Sequence, residues 1–491
     1  SGKKAWQQKI PLAVVSADAA FRQTFRSPVD RSVQYYGVRP PKAFSASTSY
    51  GLALSLHGAG VEAIGQAKSY GAKDWLYVVA PTNRRRFGFD WEEWGHLNGL
   101  AALDDAIARF GIDTTRVYVT GHSMGGHGTW QFGVHHADRF AVVGPSAGWD
   151  SFYTYGGSTK KPTGPIGRAR AHSDTSSFIK NVANRGVYVI HGTADNNVPW
   201  TEGLVMHSKA ENVSKDVHKH WQKGAGHWWD GNKGEGADCV DWPPLFDLMK
   251  KRQRTGTELN FRFQSPGPWY SDRYSYVRVL SAATPEADCV VHSTFDGATL
   301  KLQTSNVRSL EIDGHAVRAE GPPSIEIDGK VHDLPDGPLV LGPQTGKRPG
   351  VHGPFNQVMH RPWCWVWPDG AAEYRNYAAY LSNHWAIIGN GSACALPASK
   401  LTDEIKKAHN LIHLGRTAKE AGAPAHASWD DQGSTMAGKT FSGAAMQLIW
   451  DAGDRLGAAI VAPVGKRHLL YTVVPLSSRS GMPDFLVWRE T

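Results

Sequence analysis

The chain has 491 residues, 41% hydrophobic and 20% charged, a balance that suits roughly two or three folded domains and excludes a disordered or fibrous class. Its net charge of +8 comes from scattered residues, and the sharpest basic run, Arg84-Arg85-Arg86, reads as a solvated loop, so no nucleic-acid partner is expected. No run of roughly eighteen apolar residues occurs, so no membrane span is expected either.

In chain order, Ser1-Gly2-Lys3-Lys4 has no apolar h-region and reads as a processed beginning. With a signal peptide removed, the expected location is extracellular or periplasmic. Ser32 to Val38 alternates and predicts an early edge strand ending at Pro40-Pro41. Leu52 to Leu56 is a continuous apolar strand that runs into His57-Gly58-Ala59-Gly60, and Trp75 to Ala80 is another, ending at Pro81. Leu100, Leu103, Ile107 and Phe110 recur at helical spacing, with Gly111 as the stop. Further strands are expected at 116–120, 140–143, 187–190 and 217–221, with helices after Met124 and over 201–211. Alternating strands and helices predict an α/β fold, a mostly parallel sheet covered on both faces.

Gly121-His122-Ser123-Met124-Gly125 fits G-x-S-x-G directly between a strand and a helix. That chemistry needs a serine on a strained strand-to-helix turn with its hydroxyl exposed, so side chains two residues to either side would collide with neighbouring backbone. The helix start supplies the Met124 N–H to a developing oxyanion. An activated serine also needs a base, an acid and a second donor, in the order serine, acid, histidine. His227 follows the final strand, in a loop freed by Gly224 and Gly226, and is the expected base. Asp195 ends the preceding strand segment and is the expected acid, with Asp150 the competitor. For the second donor we expect the Ala59 N–H, with Gly58 the alternative.

Residues 52–60, 115–149 and 187–229 resemble the α/β-hydrolase superfamily, most closely its esterase and prolyl-oligopeptidase-related branch. The motifs are Leu-His-Gly-Ala-Gly, Thr-Gly-His-Ser-Met-Gly-Gly-His-Gly-Thr-Trp and His-Gly-Thr-Ala-Asp-Asn-Asn-Val-Pro-Trp. The resemblance implies a serine hydrolase with Ser123, Asp195 and His227 as its triad. Gly353-Pro354-Phe355 and Asn410-Leu411-Ile412-His413-Leu414-Gly415 are similar to C-terminal regions of large multidomain bacterial proteins of this branch.

Beyond about residue 255 the rhythm changes to short alternating strands, including 261–263, 276–280, 290–293, 300–302, 310–312 and 325–327. Asp313-Gly314 and Asp328-Gly329 are expected to turn hairpins, and the whole reads as a β-sandwich. From about Gly350 a small open α/β module is expected, with strands at 385–388, 410–414, 459–462 and 469–474 and a helix over 371–382. The expected domains are 1–255, 256–345 and 346–491. Glycine-bearing turns at 389–391, 415–416 and 438–440 meet no phosphate-loop spacing, so no nucleotide or other cofactor is expected. Cys239, Cys289, Cys364 and Cys394 show no C-x-x-C, which gives no support for a metal site and leaves zero, one or two disulfides open.

The same triad serves esters and amides, so substrate is a separate question. About fifty residues precede Leu52 and the β-region is too short for a seven-bladed propeller, which weakens the peptidase reading. The elbow also resembles lipase, cutinase and esterase forms. Carboxylic ester hydrolysis is therefore expected, with a prolyl-oligopeptidase-like peptidase the alternative and a non-catalytic binder on the same scaffold the third reading. Among 19 tryptophans, Trp91 and Trp94 fall in an expected loop, and Trp149, Trp200, Trp228 and Trp229 follow strand ends. Trp149, Trp200 and Trp228 are the expected substrate-binding residues, suited to aryl, feruloyl or acetyl esters of carbohydrates, small or polymer-linked. The sequence does not speak to oligomeric state.

Overall fold

The computed structural model describes residues 14–156, 160–232, 234–343, 347–350, 353–472 and 481–490, with Lys9 and Leu476 as single positions. The Ser1-Gly2-Lys3-Lys4 beginning lies outside the described residues.

The first unit carries strands β1 (Phe21–Arg26), β2 (Val33–Arg39), β3 (Gly51–Leu56), β4 (Leu76–Pro81), β5 (Val117–His122), β6 (Val142–Ser146), β7 (Gly186–Gly192) and β8 (Val217–Gln222). They form one sheet in the order β1-β2-β4-β3-β5-β6-β7-β8. β2 runs antiparallel to both neighbours, and every pairing from β4 through β8 is parallel. Helices α1 (Ala63–Lys68), α2 (Glu93–Phe110), α3 (Met124–His135), α4 (Gly164–Ala169), α5 (Trp200–Glu211) and α6 (Pro243–Lys251) complete it. This is the α/β-hydrolase fold. The apolar runs of the central strands follow from burial on both faces. Leu52, Leu54 and Leu56 point into a core with Leu103, Trp130 and Phe132, while Ala53 joins the opposite core with Leu245 and Phe246 of α6. Each such leucine contributes roughly 1.5–3 kcal/mol through area removed from water.

Sequence reading placed Ser32–Val38 at the sheet edge. β2 is instead second, because β1 pairs along its outer side from Phe21↔Val38 to Arg26↔Val33.

The second unit holds β9 (Phe261–Ser265), β10 (Arg273–Tyr274), β11 (Val277–Ala282), β12 (Cys289–Phe295), β13 (Leu300–Ser305), β14 (Val307–Asp313), β15 (Ser324–Ile327), β16 (Lys330–Asp333) and β17 (Pro338–Leu341). Two sheets, β10-β11-β14-β17 and β16-β15-β13-β12-β9, pack over one core that includes Val279, Val291, Leu302 and Ile312. Asp328-Gly329 turns the β15–β16 hairpin as expected, with φ of 48° and 82°. Asp313-Gly314 does not turn a hairpin. Asp313 caps α7 (Gly314–Ala319), its carboxylate accepting the Ala316 N–H at 3.0 Å.

The third unit is built on β18 (Trp363–Trp367), β19 (Cys394–Pro397), β20 (Asn410–Leu414), β24 (Ala445–Asp451), β25 (Leu456–Val461) and β26 (Phe485–Trp488), ordered β19-β18-β20-β25-β24-β26. A separate three-stranded sheet comprises β21 (Ala427–Trp429), β22 (Gly433–Met436) and β23 (Lys439–Ser442). Cys364 and Cys394 form a disulfide across the β18–β19 pair, and Cys239 and Cys289 are buried free thiols.

Two expected strands of this unit are corrected. Residues 385–388 close the long helix α8 (Ala372–Gly389), whose buried face is Tyr374, Tyr377, Ala378, Leu381 and Trp385. A short apolar run cannot be told from a helix by periodicity alone, and Ile387 in fact stands in solvent. Leu469 to Thr472 lies in a 3₁₀ turn, where adjacent Leu469 and Leu470 both enter the core; Val473 and Val474 lie outside the described residues. On the three sheet systems we propose units at 1–255, 256–345 and 346–491.

Candidate active site

Ser123 stands between β5 and α3 with φ 60° and ψ −121°, a strained conformation for a residue with a side chain. The neighbouring glycines are demanded by close approach. A Cβ on Gly121 would lie 2.5 Å from the Leu56 carbonyl oxygen, and one on Gly125 would lie 1.8 Å from the same atom. β3 thus passes so near the turn that no other residue fits. The Ser123 N–H donates to Ser146 O at 3.0 Å, which ties the turn to β6.

His227 and Asp195 arrive from the loops after β8 and β7. Those loops are tied together: Ala194 N–H donates to Ala225 O at 2.9 Å, and Gly224 N–H to the Thr193 hydroxyl at 2.8 Å. A Cβ on Gly192 would meet Gly226 O at 2.3 Å, so glycine permits this approach. Asp195 Oδ2 is 2.7 Å from His227 Nδ1, and His227 Nε2 is 2.8 Å from Ser123 Oγ. With Nδ1–H donating to the carboxylate, Nε2 is left as an acceptor for the Ser123 hydroxyl. The structure brings these three residues together in the expected order.

Asp195 is further held by Asn197 N–H and Val198 N–H on Oδ1, both at 2.9 Å, and by His191 Nε2 at 3.2 Å from Oδ2. Burial works against its charge, but hydrogen bonds from His191, His227 and Asn197 outweigh it and hold the carboxyl well below its usual range. Asp195 therefore stays an acceptor for the imidazole. Asp150, the competing acid, is engaged elsewhere. It accepts from Ser176 N–H at 2.8 Å and the Thr175 hydroxyl at 3.0 Å, and pairs with Lys209 at 3.3 Å.

His122 packs its ring 4.8 Å from that of His227. Burial, then the His227 charge, push its pKa down to about 3, so it stays neutral beside the His227 ring. Met124 opens α3, so its N–H is among the first-turn donors that lack an intrahelical acceptor. A Cβ on Gly58 would touch Ser123 Cβ at 3.4 Å, which brings the 57–60 loop against the serine, and Ala59 is exposed there. Met124 and Ala59 remain the candidate oxyanion donors.

The tryptophans divide. Trp228 is 50% exposed and sets its indole edge-on to His122 at 5.1 Å. Trp200 is half-buried against Trp221. Trp149 is only 3% exposed, its ring stacked on His127 at 5.0 Å and on Tyr155 at 4.3 Å. Trp91 and Trp94 are fully buried, and Trp94 belongs to α2 rather than a loop.

Three residues near the site escaped sequence reading. His191 sits in a motif that pointed only to Asp195. Tyr155, covering Trp149, donates its hydroxyl to Asn197 at 3.3 Å in the acid loop. Phe87 is 68% exposed and lies against Gly60. Its one signal was a bulky aromatic directly after three arginines.

Residues 83–239 match the prolyl oligopeptidase family. An uncharacterized secreted protein of Arthroderma benhamiae is 26% identical over 330 residues, 60% of this chain and 34% of its own length. The chain thus spans about a third of that curated relative. A thermostable esterase is 19% identical with a TM-score of 0.37, covering 48% of this chain and 64% of its own. An acylaminoacyl peptidase of Pyrococcus horikoshii is 15% identical with a TM-score of 0.37, covering 49% and 43%. An S-formylglutathione hydrolase of Agrobacterium tumefaciens is 18% identical with a TM-score of 0.36, covering 44% and 91%.

Proposed function

We propose that this α/β-hydrolase-fold chain is a serine hydrolase that cleaves carboxylic esters through an acyl-enzyme on Ser123. The observation that carries the reading is the chain of hydrogen bonds from Ser123 Oγ through His227 to Asp195, mounted on a strained turn. In this account His227 Nε2 takes the Ser123 proton as Oγ attacks the ester carbonyl. The Asp195 carboxylate stabilises the imidazolium that results. The N–H groups of Met124 and Ala59 receive the developing oxyanion, and one such donor is worth about 3–4 kcal/mol in the transition state. His227 then protonates the leaving alcohol, and water repeats the cycle to release the acid.

Access supports an ester with a bulky alcohol or acyl part. The His227 side chain is 20% exposed and Trp228 stands half in solvent. The β-sandwich packs on the Thr175–Val182 turn, with Tyr270 against His135 at the far end of α3, well away from Ser123. Exposed Phe87 and Trp228 with half-buried Trp200 offer flat apolar surfaces, which suit aryl, feruloyl or acetyl esters of carbohydrates. The secreted relative supports an extracellular or periplasmic setting.

A peptidase reading is kept because residues 83–239 match the prolyl oligopeptidase family. An amide demands prompt protonation of the departing amine and tighter positioning than an ester. A matched panel of short and long aliphatic esters, acetylated and feruloylated sugars, and prolyl and arginyl amides separates the two. Ester turnover far above amide turnover is expected. A peptide amide with the highest kcat/KM would replace the ester reading with the peptidase one.

A further inference from the structure

The segment from the end of β4 to the start of α2 carries five non-glycine residues in the left-handed region: Asn83, Arg84, Asp90 and Trp91 in the loop and Glu93 at the first position of α2, with φ from 44° to 64°. A backbone so strained persists only where its surroundings over-determine it. Its inner side reaches the proposed oxyanion loop. Trp91 Nε1–H donates to His57 O at 3.0 Å, and Gly60 N–H donates to Arg86 O at 2.9 Å. These two bonds bracket Gly58 and Ala59, and a Cβ on Gly58 would lie 3.4 Å from Ser123 Cβ.

The outer side of the loop is held by the third unit, to which no role has so far been given. Arg84 is fully buried and lies over the Trp385 ring at 4.7 Å. Its guanidinium grips both carboxylate oxygens of Asp30, at 3.1 and 3.2 Å, and donates to Gly389 O at 3.0 Å. Trp385 Nε1–H donates to the same Asp30 carboxylate at 2.9 Å. The planar fork of an arginine satisfies all of these acceptors at once, which a lysine cannot. Ten residues along, in the first turn of α2, Trp94 Nε1–H donates to Met359 O at 3.0 Å, so the start of the loop and the helix that follows it are both pinned to the third unit.

We propose that the third unit, through Met359, Trp385 and Gly389, is a brace for the oxyanion hole, and that Arg84 is the positioning residue at which brace and loop meet. The inference rests on the serine-hydrolase reading with Ala59 as a donor. It differs from a purely stabilising contact in one respect. Loosening Arg84 shifts the Ala59 N–H relative to the oxyanion, which weakens transition-state binding and leaves ground-state binding nearly intact.

The test uses the full chain with two variants. Arg84→Lys keeps charge and loses the fork, and Trp385→Phe removes one N–H and part of the stacking surface. Each is checked for native circular dichroism, then assayed for kcat and KM on a p-nitrophenyl ester and for inhibition by an arylboronic acid. The boronate adduct on serine carries an oxygen where the oxyanion would sit. The expected result is a kcat lowered about ten- to a hundredfold with KM nearly unchanged, and boronate inhibition weakened in step. A folded variant of either kind with a lower melting temperature but wild-type kcat and boronate affinity would overturn the brace. Wild-type protein inert to both the ester and a fluorophosphonate would instead overturn the underlying hydrolase reading, and the brace with it.

Discussion

The turn at Ser123 and the loop at 83–93 both force residues with side chains into left-handed backbone, yet they are held in opposite ways. At Ser123 the constraint is legible locally, as a need for glycine two residues to either side. Gly121 and Gly125 lie against a single carbonyl of β3, and the Ser123 N–H is taken by β6. At 83–93 the constraint adds remote partners to internal ones: Asn83 Oδ1 accepts the Phe89 and Trp91 N–H groups at 3.2 Å, while Arg84 is fixed by Asp30, some fifty positions earlier, and by Gly389, about three hundred positions later. A turn whose close approach to a neighbouring strand demands glycine on both sides leaves a motif. A loop held by side-chain hydrogen bonds and a buried ion pair leaves none, and its strain emerges only when the chain is folded.

The largest expected effect lies on the local side. Asp195→Asn should fold normally and lower kcat by about 10⁴, because the amide holds the imidazole in the wrong tautomer. Asp150→Asn, bonded far from His227, should keep near-normal kcat. The reverse pattern in steady-state kinetics would move the acid to Asp150.

Asp30→Ala attacks the remote side. It strands the Arg84 guanidinium, which is 1% exposed, without its carboxylate. Removing one partner of a buried pair costs about 3–5 kcal/mol, so the urea midpoint should drop by a corresponding amount. An unchanged midpoint would show that the loop is held by other contacts.

Gly125→Ala is expected to cost about 1–3 kcal/mol in stability through overpacking against Leu56 O. It should also lose ester turnover by displacing Ser123, whereas Gly453→Ala, with nothing within 4 Å, should leave turnover intact. Equal activity in the two variants would remove the local half of the comparison.

This contrast explains how much could be read beforehand. The meeting of Ser123, His227 and Asp195 was legible because each follows a strand of the parallel sheet, Ser123 and Asp195 after the buried β5 and β7 and His227 after the partly exposed β8. The parallel sheet was legible from continuous apolar runs, and the sandwich from alternating ones. Trp385 was not, since a buried helical face and a strand look alike over four apolar residues. The same limit hid Trp91 and Trp94: indole count suggests a site wall, but only packing decides that these two are core while Trp228 stands in solvent. Asp313 was misread because an aspartate before glycine serves a helix cap as readily as a hairpin turn.

A smaller effect follows from the histidines that flank α3. His136 and His122 are pushed down to about 3 by burial, with Arg139 and His227 respectively adding to it. Their folded values lie below the unfolded one near 6.5, so the unfolded chain binds more protons between those limits. Stability is full above about pH 6.5 and is lost as pH falls toward 3, by about 1.4 kcal/mol per pH unit for each group. Glu92 is also depressed: burial opposes its charge, but His127 and His172 outweigh it and bring it to about 2. Its contribution is present above the ordinary carboxylate range and fades below it. Urea midpoints measured at pH 7.5, 5.5 and 4.5 should fall at each step, and a flat profile would contradict this.

The central claim is that Ser123 is a nucleophile, and covalent labelling tests it most directly. Intact mass after exposure to a fluorophosphonate, followed by peptide mapping, should show one adduct, on Ser123, and none in Ser123→Ala. A folded wild-type protein that takes up no label, or takes it on another residue, would contradict the account.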